Sequence, residues 1–230
     1  MADDFTIISE ESFEEHYREV LATWKLERWV SGHAPSVEIE LEAWCDIMNA
    51  VWATPGELSW FHKVEVFPER RIRISGIHVP KQSCSLNHTM IAPETLLVTI
   101  PYELMGLGEN HWEYRAWGHS HVDAKAYVSH VDWRAIQGRL ATIVNGNAGP
   151  IAGPFIALVV NRFSDVSCWV NFARPEIGWQ GVPVSLDREI SGAALREFVQ
   201  TRRDRIAEVV NERVQFTPPA DDPEGGNADD

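Results

Sequence analysis

Four residues in the segment GHSHVDAKAYVSHVDW, residues 118–133, have types and spacing suited to metal chemistry. They are two histidines, a serine and an aspartate: His119, His121, Ser129 and Asp132. On a strand, side chains at positions i and i+2 leave the same face, so both imidazoles can reach one point. A helix that begins near Ser129 would turn Asp132 back toward that point. Two imidazoles and one carboxylate suit one catalytic Zn²⁺, with a fourth position open for water.

The separate parts of this pattern are weak indicators. The chain has nine histidines, so a single His-x-His pair is unremarkable. Ser-x-x-Asp is also a common pattern at the N-terminus of a helix. All four positions together arise by chance in roughly one chain per thousand of this composition. The combination therefore indicates a metal site.

A zinc hydrolase also needs a group that takes a proton from the reacting water. The candidate is Glu57 in TPGELSWF, where a predicted helix has ended and a strand begins. Taken alone, Glu57 is better explained as a surface residue at a turn. Beside the metal motif, we predict that it is the catalytic base.

Hydrophobic periodicity predicts the elements that position these residues. Helices are predicted over residues 42–53, 94–105, 129–144 and 193–214, with an added N-terminal helix over 10–30. Strands are predicted over residues 37–41, 58–67, 71–79, 114–121, 155–160 and 166–172. A loop or insertion is predicted over residues 80–94 and a loop over 145–154. The pattern predicts an α/β (α+β) fold in which helices flank a mixed, mostly antiparallel sheet. We expect an N-terminal helical extension (1–35), one catalytic domain (36–215) and a disordered acidic tail (216–230).

Charge and cysteine content narrow the class of protein. The formal net charge is −14 at pH 7, whereas binding to nucleic acid or to an anionic membrane surface needs a basic face. We therefore expect neither partner. The three cysteines, Cys45, Cys84 and Cys168, form no CxxC pair, which argues against a disulfide framework. With no signal segment and no long apolar run, a cytoplasmic protein is expected.

The sequence resembles the JAB/MPN (JAMM) family of zinc metalloproteases. Members of this family carry a Glu that enters a strand, followed by His-x-His-x7-Ser-x-x-Asp. The matching residues here are Glu57, His119, His121, Ser129 and Asp132. The runs RISGIHVPKQS and AYVSHVD resemble the endosomal deubiquitinase branch, and bacterial JAB-domain isopeptidases are similar in kind. The resemblance covers about residues 36–185. Many relatives have proline after the second histidine, where this chain has Val122.

The resemblance implies an MPN fold and a zinc-dependent isopeptidase or peptidase that cleaves after the C-terminal glycine of a ubiquitin-like modifier. His119, His121 and Asp132 would hold the Zn²⁺, Glu57 would transfer the proton, and Ser129 would donate a hydrogen bond to the oxyanion. The substrate would be a ubiquitin-like protein or its conjugate, and conjugation-pathway enzymes would be further partners.

Two alternatives remain open at this point. One is a JAMM-type peptidase that acts on short peptides or small adducts, and the other is a non-catalytic MPN scaffold. Scaffold members usually lack the metal ligands that this sequence retains. A second metal site formed by His78, Cys84 and His88 has no spacing to support it.

Overall fold

The computed structural model describes residues 34–144, 153–173 and 176–218. Its α-helices are α1 (Leu41–Ala53), α2 (Ile100–Gly106), α3 (His130–Val144) and α4 (Gly192–Arg213). A π-helical turn over Thr95–Thr99 leads into α2, and a 3₁₀ turn covers His111–Glu113. The strands are β1 (Ser36–Ile39), β2 (Ser59–Phe67), β3 (Arg71–His78), β4 (Gln82–Ser85), β5 (His88–Met90), β6 (Ala116–Ser120), β7 (Phe155–Val160), β8 (Val166–Ala173), β9 (Glu176–Gln180), β10 (Val184–Leu186) and β11 (Val214–Phe216).

Eight strands form one mixed sheet in the order β10-β1-β3-β2-β6-β7-β8-β9. The pairs β10–β1, β1–β3 and β6–β7 are parallel, and the other four pairs are antiparallel. The predicted α/β class with a mixed, mostly antiparallel sheet is confirmed. Strand β7 is FIALVV and is buried along its whole length, because it lies inside the sheet with both faces covered.

The large sheet is strongly curled. Its two edge strands, β9 and β10, are consecutive in the chain and are joined only by residues 181–183. Such a connection spans at most about 14 Å, whereas the edges of a flat eight-stranded sheet would be about 34 Å apart. The sheet must therefore bend until its edges approach each other. Val182 lies in this connection, where it is buried and donates its N–H to the carbonyl of Cys168.

A second, three-stranded sheet has the order β11-β4-β5. Strands β4 and β5 form a hairpin, and β11 pairs with β4 in parallel. The prediction of a loop or insertion over residues 80–94 therefore missed the strands β4 and β5. These strands are short and polar, so they lack the apolar alternation by which a strand is recognised. Tertiary contacts hold them instead: the side-chain amide of Gln82 bonds both the backbone N–H and the carbonyl of Ser59, each at 2.7 Å.

The two faces of the large sheet pack against different helices. The main core lies between one face and the helices α1 and α4, and it includes Ile47, Trp60, Ile74 and Val210. On the opposite face, α2 packs against Phe61 through Ile100 and Leu104. Helix α3 covers the β7 end of that same face, where Ile136 meets Phe155 and Ala157. The side chains at alternate positions of β7 thus serve both cores.

An ion pair joins the two helices on the main-core side. The carboxylate of Asp46 in α1 accepts hydrogen bonds from Arg202 Nε at 2.6 Å and Arg202 Nη2 at 2.7 Å. Arg205 Nη2 adds a further bond at 2.7 Å. Since Asp46 is buried, these arginines compensate the cost of removing its charge from water.

The other elements of the fold either confirm a prediction, were not predicted, or lie outside the described residues. Helices α1, α3 and α4 and strands β1, β2, β3, β6, β7 and β8 confirm predictions to within a few residues at each end. The helix predicted over residues 94–105 is formed by the π-helical turn Thr95–Thr99 together with α2. Strands β9, β10 and β11 were not predicted, and β11 includes Phe216, the first residue of the predicted tail. The predicted N-terminal helix, most of the 145–154 loop and residues 219–230 of the tail lie outside the described residues.

Two further findings concern the described part of the chain. Cys45, Cys84 and Cys168 are all buried and free. None of the described helices combines the length and the apolar composition that crossing a bilayer requires.

Gly118, directly before the first metal-motif histidine, is required by the packing of Trp60. The two residues face each other across β2 and β6, and a Cβ at position 118 would lie 2.2 Å from Trp60 Nε1. Because the indole is fully buried, it has no space into which to retreat. We expect Gly118→Ala to lower the free energy of unfolding by about 3 kcal/mol in urea denaturation.

The matched control for this prediction is Gly138→Ala. Gly138 lies in α3, and a Cβ there would meet no atom within 4 Å. This substitution should raise the stability by about 0.5–1 kcal/mol, because alanine is the better helix former. Equal effects of the two substitutions would show that contact with Trp60 does not explain the glycine at position 118.

Candidate metal centre

Strand β6 directs both histidines of the His-x-His pair to the face of the sheet that carries α2 and α3. His119 lies in the strand and His121 immediately after its end, and their ring centroids are 5.0 Å apart. The side chains are buried, with 3 % of His119 and 8 % of His121 exposed. The indole of Trp117 stacks on His119 with a centroid distance of 4.8 Å. The strand periodicity and this stacking fix the direction of both imidazoles.

The first turn of α3 presents the aspartate. The backbone N–H of Ser129 donates to Asp132 Oδ2 at 2.7 Å, and the N–H of Asp132 donates to Ser129 Oγ at 3.2 Å. This reciprocal pair has the form of a helix N-terminal capping box. It holds the Asp132 carboxylate against the two histidines: Oδ1 lies 3.1 Å from His119 Nε2, and Oδ2 lies 3.5 Å from His121 Nε2.

The donor atoms of the three side chains fit a metal ion. They all lie within 4.8 Å of one another. In a tetrahedral zinc site, ligand atoms are about 3.4 Å apart, close to the two carboxylate–imidazole distances found here. His119 Nε2 is buried and makes no aligned hydrogen bond despite its short distance to Asp132. This geometry is expected when two ligands point at a shared ion rather than at each other.

A hydrogen bond fixes the tautomer of His121. Its Nδ1 lies 3.0 Å from the carbonyl oxygen of Lys125. A carbonyl can only accept, so Nδ1 carries the hydrogen and the lone pair of the neutral ring lies on Nε2, the atom that faces Asp132. Metal-binding histidines commonly use their second nitrogen in this way.

The pKa values of His119, His121 and Asp132 are shifted by burial and by the contacts of these side chains with one another. Burial lowers the pKa of His119 and outweighs the opposing attraction of the Asp132 carboxylate. Burial acts in the same direction on His121, but its bonds to Asp132 and Lys125 outweigh that effect and raise its pKa. For Asp132, burial opposes ionisation, yet the close contacts with His119 and His121 hold its pKa well below the usual range. The aspartate is thus ionised at neutral pH, as a metal ligand must be.

Glu57 lies next to this group, in the extended segment before β2. Its side chain is half-buried. Burial raises the pKa of Glu57 to about 7; Asp132 adds to this shift and His121 opposes it. The backbone around it is fixed, because Glu57 N donates to Ser85 O at 2.9 Å and Leu58 N donates to Ser120 Oγ at 3.0 Å. A half-buried carboxyl group with a pKa near neutrality has the properties of a general base.

The structure thus brings the five predicted site residues into one region: His119, His121 and Asp132 form its centre, Ser129 is hydrogen-bonded to Asp132, and Glu57 is near enough for the charges of His121 and Asp132 to act on it. The suggested second site is not formed. His78 contacts Glu103, Cys84 contacts Thr54, and His88 is exposed. Within the described ranges, the three central residues are the one group of three or more His, Cys, Asp or Glu side chains that could hold a metal.

Other residues near the centre could not be found from sequence patterns. Tyr127 places its ring edge-on to His121, with centroids 5.3 Å apart, and is 53 % exposed. The carbonyl of Lys125 bonds His121 within an irregular loop, and the hydroxyl of Ser120 bonds the distant Leu58 N–H; the sequence carries no periodic signal for either contact. Val122 has φ of +45°, a value that the proline ring excludes, so the chain after His121 follows a path that proline would forbid.

No protein-family model matches this sequence, and no curated protein is significantly similar to it.

Proposed function

We propose that this chain is a zinc-dependent metalloprotease of the JAMM kind with an MPN-like fold. Its substrate would be the isopeptide or peptide bond after the C-terminal glycine of a ubiquitin-like modifier. The observation that carries the proposal is the convergence of His119 Nε2, His121 Nε2 and the Asp132 carboxylate, with Glu57 next to them. Two nitrogen donors and one carboxylate favour Zn²⁺ and leave a coordination position open, which is the pattern of a catalytic site.

The side chains have distinct roles in the proposed reaction. A Zn²⁺ held by the three ligands would supply Lewis acidity, which lowers the pKa of water toward neutrality and polarises a carbonyl group. Glu57 accepts a proton from the attacking water and passes it to the leaving amine. Its half-buried position keeps its pKa close enough to neutrality for both transfers.

Ser129 would donate a hydrogen bond to the oxyanion formed from the reacting carbonyl. Its hydroxyl oxygen already accepts the Asp132 N–H, so its hydroxyl hydrogen remains available to donate. A donor placed at the developing oxyanion is worth about 3–4 kcal/mol in measured cases. The same residue therefore positions a metal ligand through its cap and stabilises charge through its hydrogen.

The proposed substrate enters as an extended chain. The C-terminal tail of a ubiquitin-like modifier is slender, and such a segment can add a strand to a sheet edge. Strand β5 forms an edge of the small sheet, and the hairpin it belongs to bonds the Glu57 backbone through Ser85. Conjugation-pathway enzymes are the further partners in this proposal. The compartment would be the cytoplasm, where the three free cysteines stay reduced.

The test combines metal analysis with a substrate panel. Protein purified without added zinc should contain close to one Zn²⁺ per chain and should cleave ubiquitin-like proteins that carry a C-terminal fluorogenic amide. A chelator should abolish cleavage, and added Zn²⁺ should restore it. If the protein cleaves short peptides but no ubiquitin-like protein, its substrate is a short peptide and not a ubiquitin-like modifier. Metal-free protein that cleaves nothing, even after Zn²⁺ is added, would leave the non-catalytic scaffold as the better description.

The activity should depend on pH through Glu57. Only the ionised carboxylate can accept a proton, so kcat/KM should fall as pH drops below the pKa of Glu57, by roughly tenfold per pH unit. Burial places that pKa at about 7, and the positive charge of a bound metal moves it toward the ordinary glutamate value. The acid limb should therefore lie between these two values. A profile that stays flat throughout this interval would argue against Glu57 as the base.

A further inference from the structure

The chain makes a strained turn directly after the second histidine ligand. The N–H of Ala124 donates to the carbonyl of His121 at 2.7 Å, which closes the turn around Val122 and Asp123. Val122 is buried and has φ of +45°. A β-branched residue rarely adopts this left-handed conformation, because its side chain collides with the backbone. Such strain persists only where neighbouring groups hold the backbone in place.

Arg162 holds the backbone of this turn in place. It follows β7 and lies beside the turn, with its backbone N–H donating to the carbonyl of Val122 at 2.9 Å. Its guanidinium Nη1 donates to both carboxylate oxygens of Asp123, at 3.3 and 3.2 Å. The side chain of Arg162 is only 16 % exposed, whereas that of Asp123 is 65 % exposed, so the guanidinium is the shielded partner of this ion pair.

The same guanidinium also reaches the segment that carries Glu57. Arg162 Nη2 donates to the carbonyl of Thr54 at 2.8 Å. The hydroxyl of Thr54 in turn accepts the N–H of Gly56 at 3.3 Å, one residue before Glu57. The charges that act on Glu57 are those of His121 and Asp132, so the link through Thr54 affects its position rather than its charge.

We propose that Arg162 is a positioning residue that sets the placement of His121 relative to Glu57. Its planar guanidinium group bonds both the turn after His121 and the segment before Glu57, whereas a lysine side chain has only one nitrogen for the two contacts. This inference rests on the proposed function for its catalytic consequence. Its effect on the geometry of the metal centre can be measured without any substrate.

The test uses Arg162→Gln, with Arg202→Gln as the matched control. Both arginines hold a carboxylate with two bonds, but Arg202 binds Asp46 on the opposite side of the sheet. We expect Arg162→Gln to weaken Zn²⁺ binding by roughly 10- to 100-fold in competition with a chelator. The visible spectrum of the Co²⁺-loaded variant should differ from that of the wild type. The control should be less stable but should keep the wild-type spectrum and zinc affinity.

We expect Arg162→Gln to change kcat and to leave KM nearly unchanged. On a ubiquitin-like fluorogenic amide, Arg162→Gln should lower kcat by about 10- to 100-fold and leave KM within about twofold, since a small displacement of reacting groups affects the chemical step. Arg162→Lys should recover part of the loss, because one of its two partners can still be reached. The control should match the wild type in both constants.

A wild-type Co²⁺ spectrum and unchanged zinc affinity in Arg162→Gln would overturn the proposal. If the wild type cleaves no probe, the proposed function fails, but the spectrum still decides the role of Arg162. If Arg162→Gln does not fold, Asp123→Asn replaces it, since Asp123 is 65 % exposed and this change removes only the carboxylate bonds. The spectrum of Asp123→Asn should then shift in the same direction by a smaller amount, and an unchanged spectrum would overturn the proposal.

Discussion

Glu57→Gln should keep its metal and lose turnover by about 10²- to 10⁴-fold, the usual contribution of a general base. The amide has nearly the shape of the carboxylate but cannot accept a proton at neutral pH. None of the three metal ligands is altered, and the Ser85 bond that fixes the segment is made by the Glu57 backbone, which the substitution leaves intact. The measurement is kcat together with zinc content on the same preparation.

The same substitution has a second, independent readout. Burial raises the folded-state pKa of Glu57 to about 7, well above the ordinary value of glutamate. Ionised Glu57 is therefore less favourable in the folded than in the unfolded chain, so without metal it opposes folding increasingly from about pH 4.5 and in full above about pH 7. Metal-free Glu57→Gln should be more stable than the wild type there. This difference should shrink as the pH falls and the wild-type carboxyl becomes protonated.

Glu109→Gln is the control for both readouts. Glu109 is a partly exposed carboxylate that pairs with Lys63 at 3.5 Å, outside the metal centre. Its loss should change neither zinc content nor kcat, and its effect on stability should be small, as for most surface ion pairs. Undiminished activity of Glu57→Gln, with the metal still bound, would remove Glu57 as the base.

Asp132→Ala should lose metal and activity together. The substitution removes one of three ligands, so zinc affinity should fall by more than the roughly 10–100-fold that loss of an outer partner costs. It also deletes the acceptor for Ser129 N–H and leaves His119 Nε2 buried without its carboxylate neighbour. Zinc titration with a chelating indicator gives the affinity, and the amide substrate gives the rate.

Ser129→Ala distinguishes the loss of oxyanion stabilisation from the loss of the metal. It keeps all three ligands but removes the hydroxyl, so zinc content should stay close to that of the wild type. The rate should fall by about 10²- to 10³-fold if the hydroxyl stabilises the oxyanion. The lost helix cap should cost about 1 kcal/mol of stability. Full zinc occupancy in Asp132→Ala would contradict the assignment of Asp132 as a ligand.

The sequence predicted the centre well because its geometry is mostly local. His119 and His121 are two residues apart on a strand, and Ser129 and Asp132 are one helical turn apart, so periodicity alone places each pair. Their meeting point required the strand and the helix to pack as the pattern implied. Glu57 had no local signal that distinguished it from a surface residue at a turn, and its prediction depended on the metal motif elsewhere in the chain.

The parts that were not predicted depend on contacts between distant segments. The hairpin of β4 and β5 has too few apolar residues to show a period, and it is held by Gln82 and by pairing with β11. Arg162 looked like an ordinary loop residue, because its partners Thr54 and Asp123 come from two separate segments. Propensity describes neighbours in sequence, whereas these interactions exist only once the fold has formed.

The pairing of β11 with β4 also has a consequence for the order in which the protein matures. Gly56 lies against Phe216 so closely that a Cβ there would be 2.9 Å from its ring, and β4 supplies the carbonyl that holds Glu57 N. Among the described strands, β11 leaves the ribosome last. A nascent chain that already contains every metal ligand would still have an unsupported Glu57 segment. Hydrolytic competence should therefore arise late in biosynthesis, after the ligand set is complete.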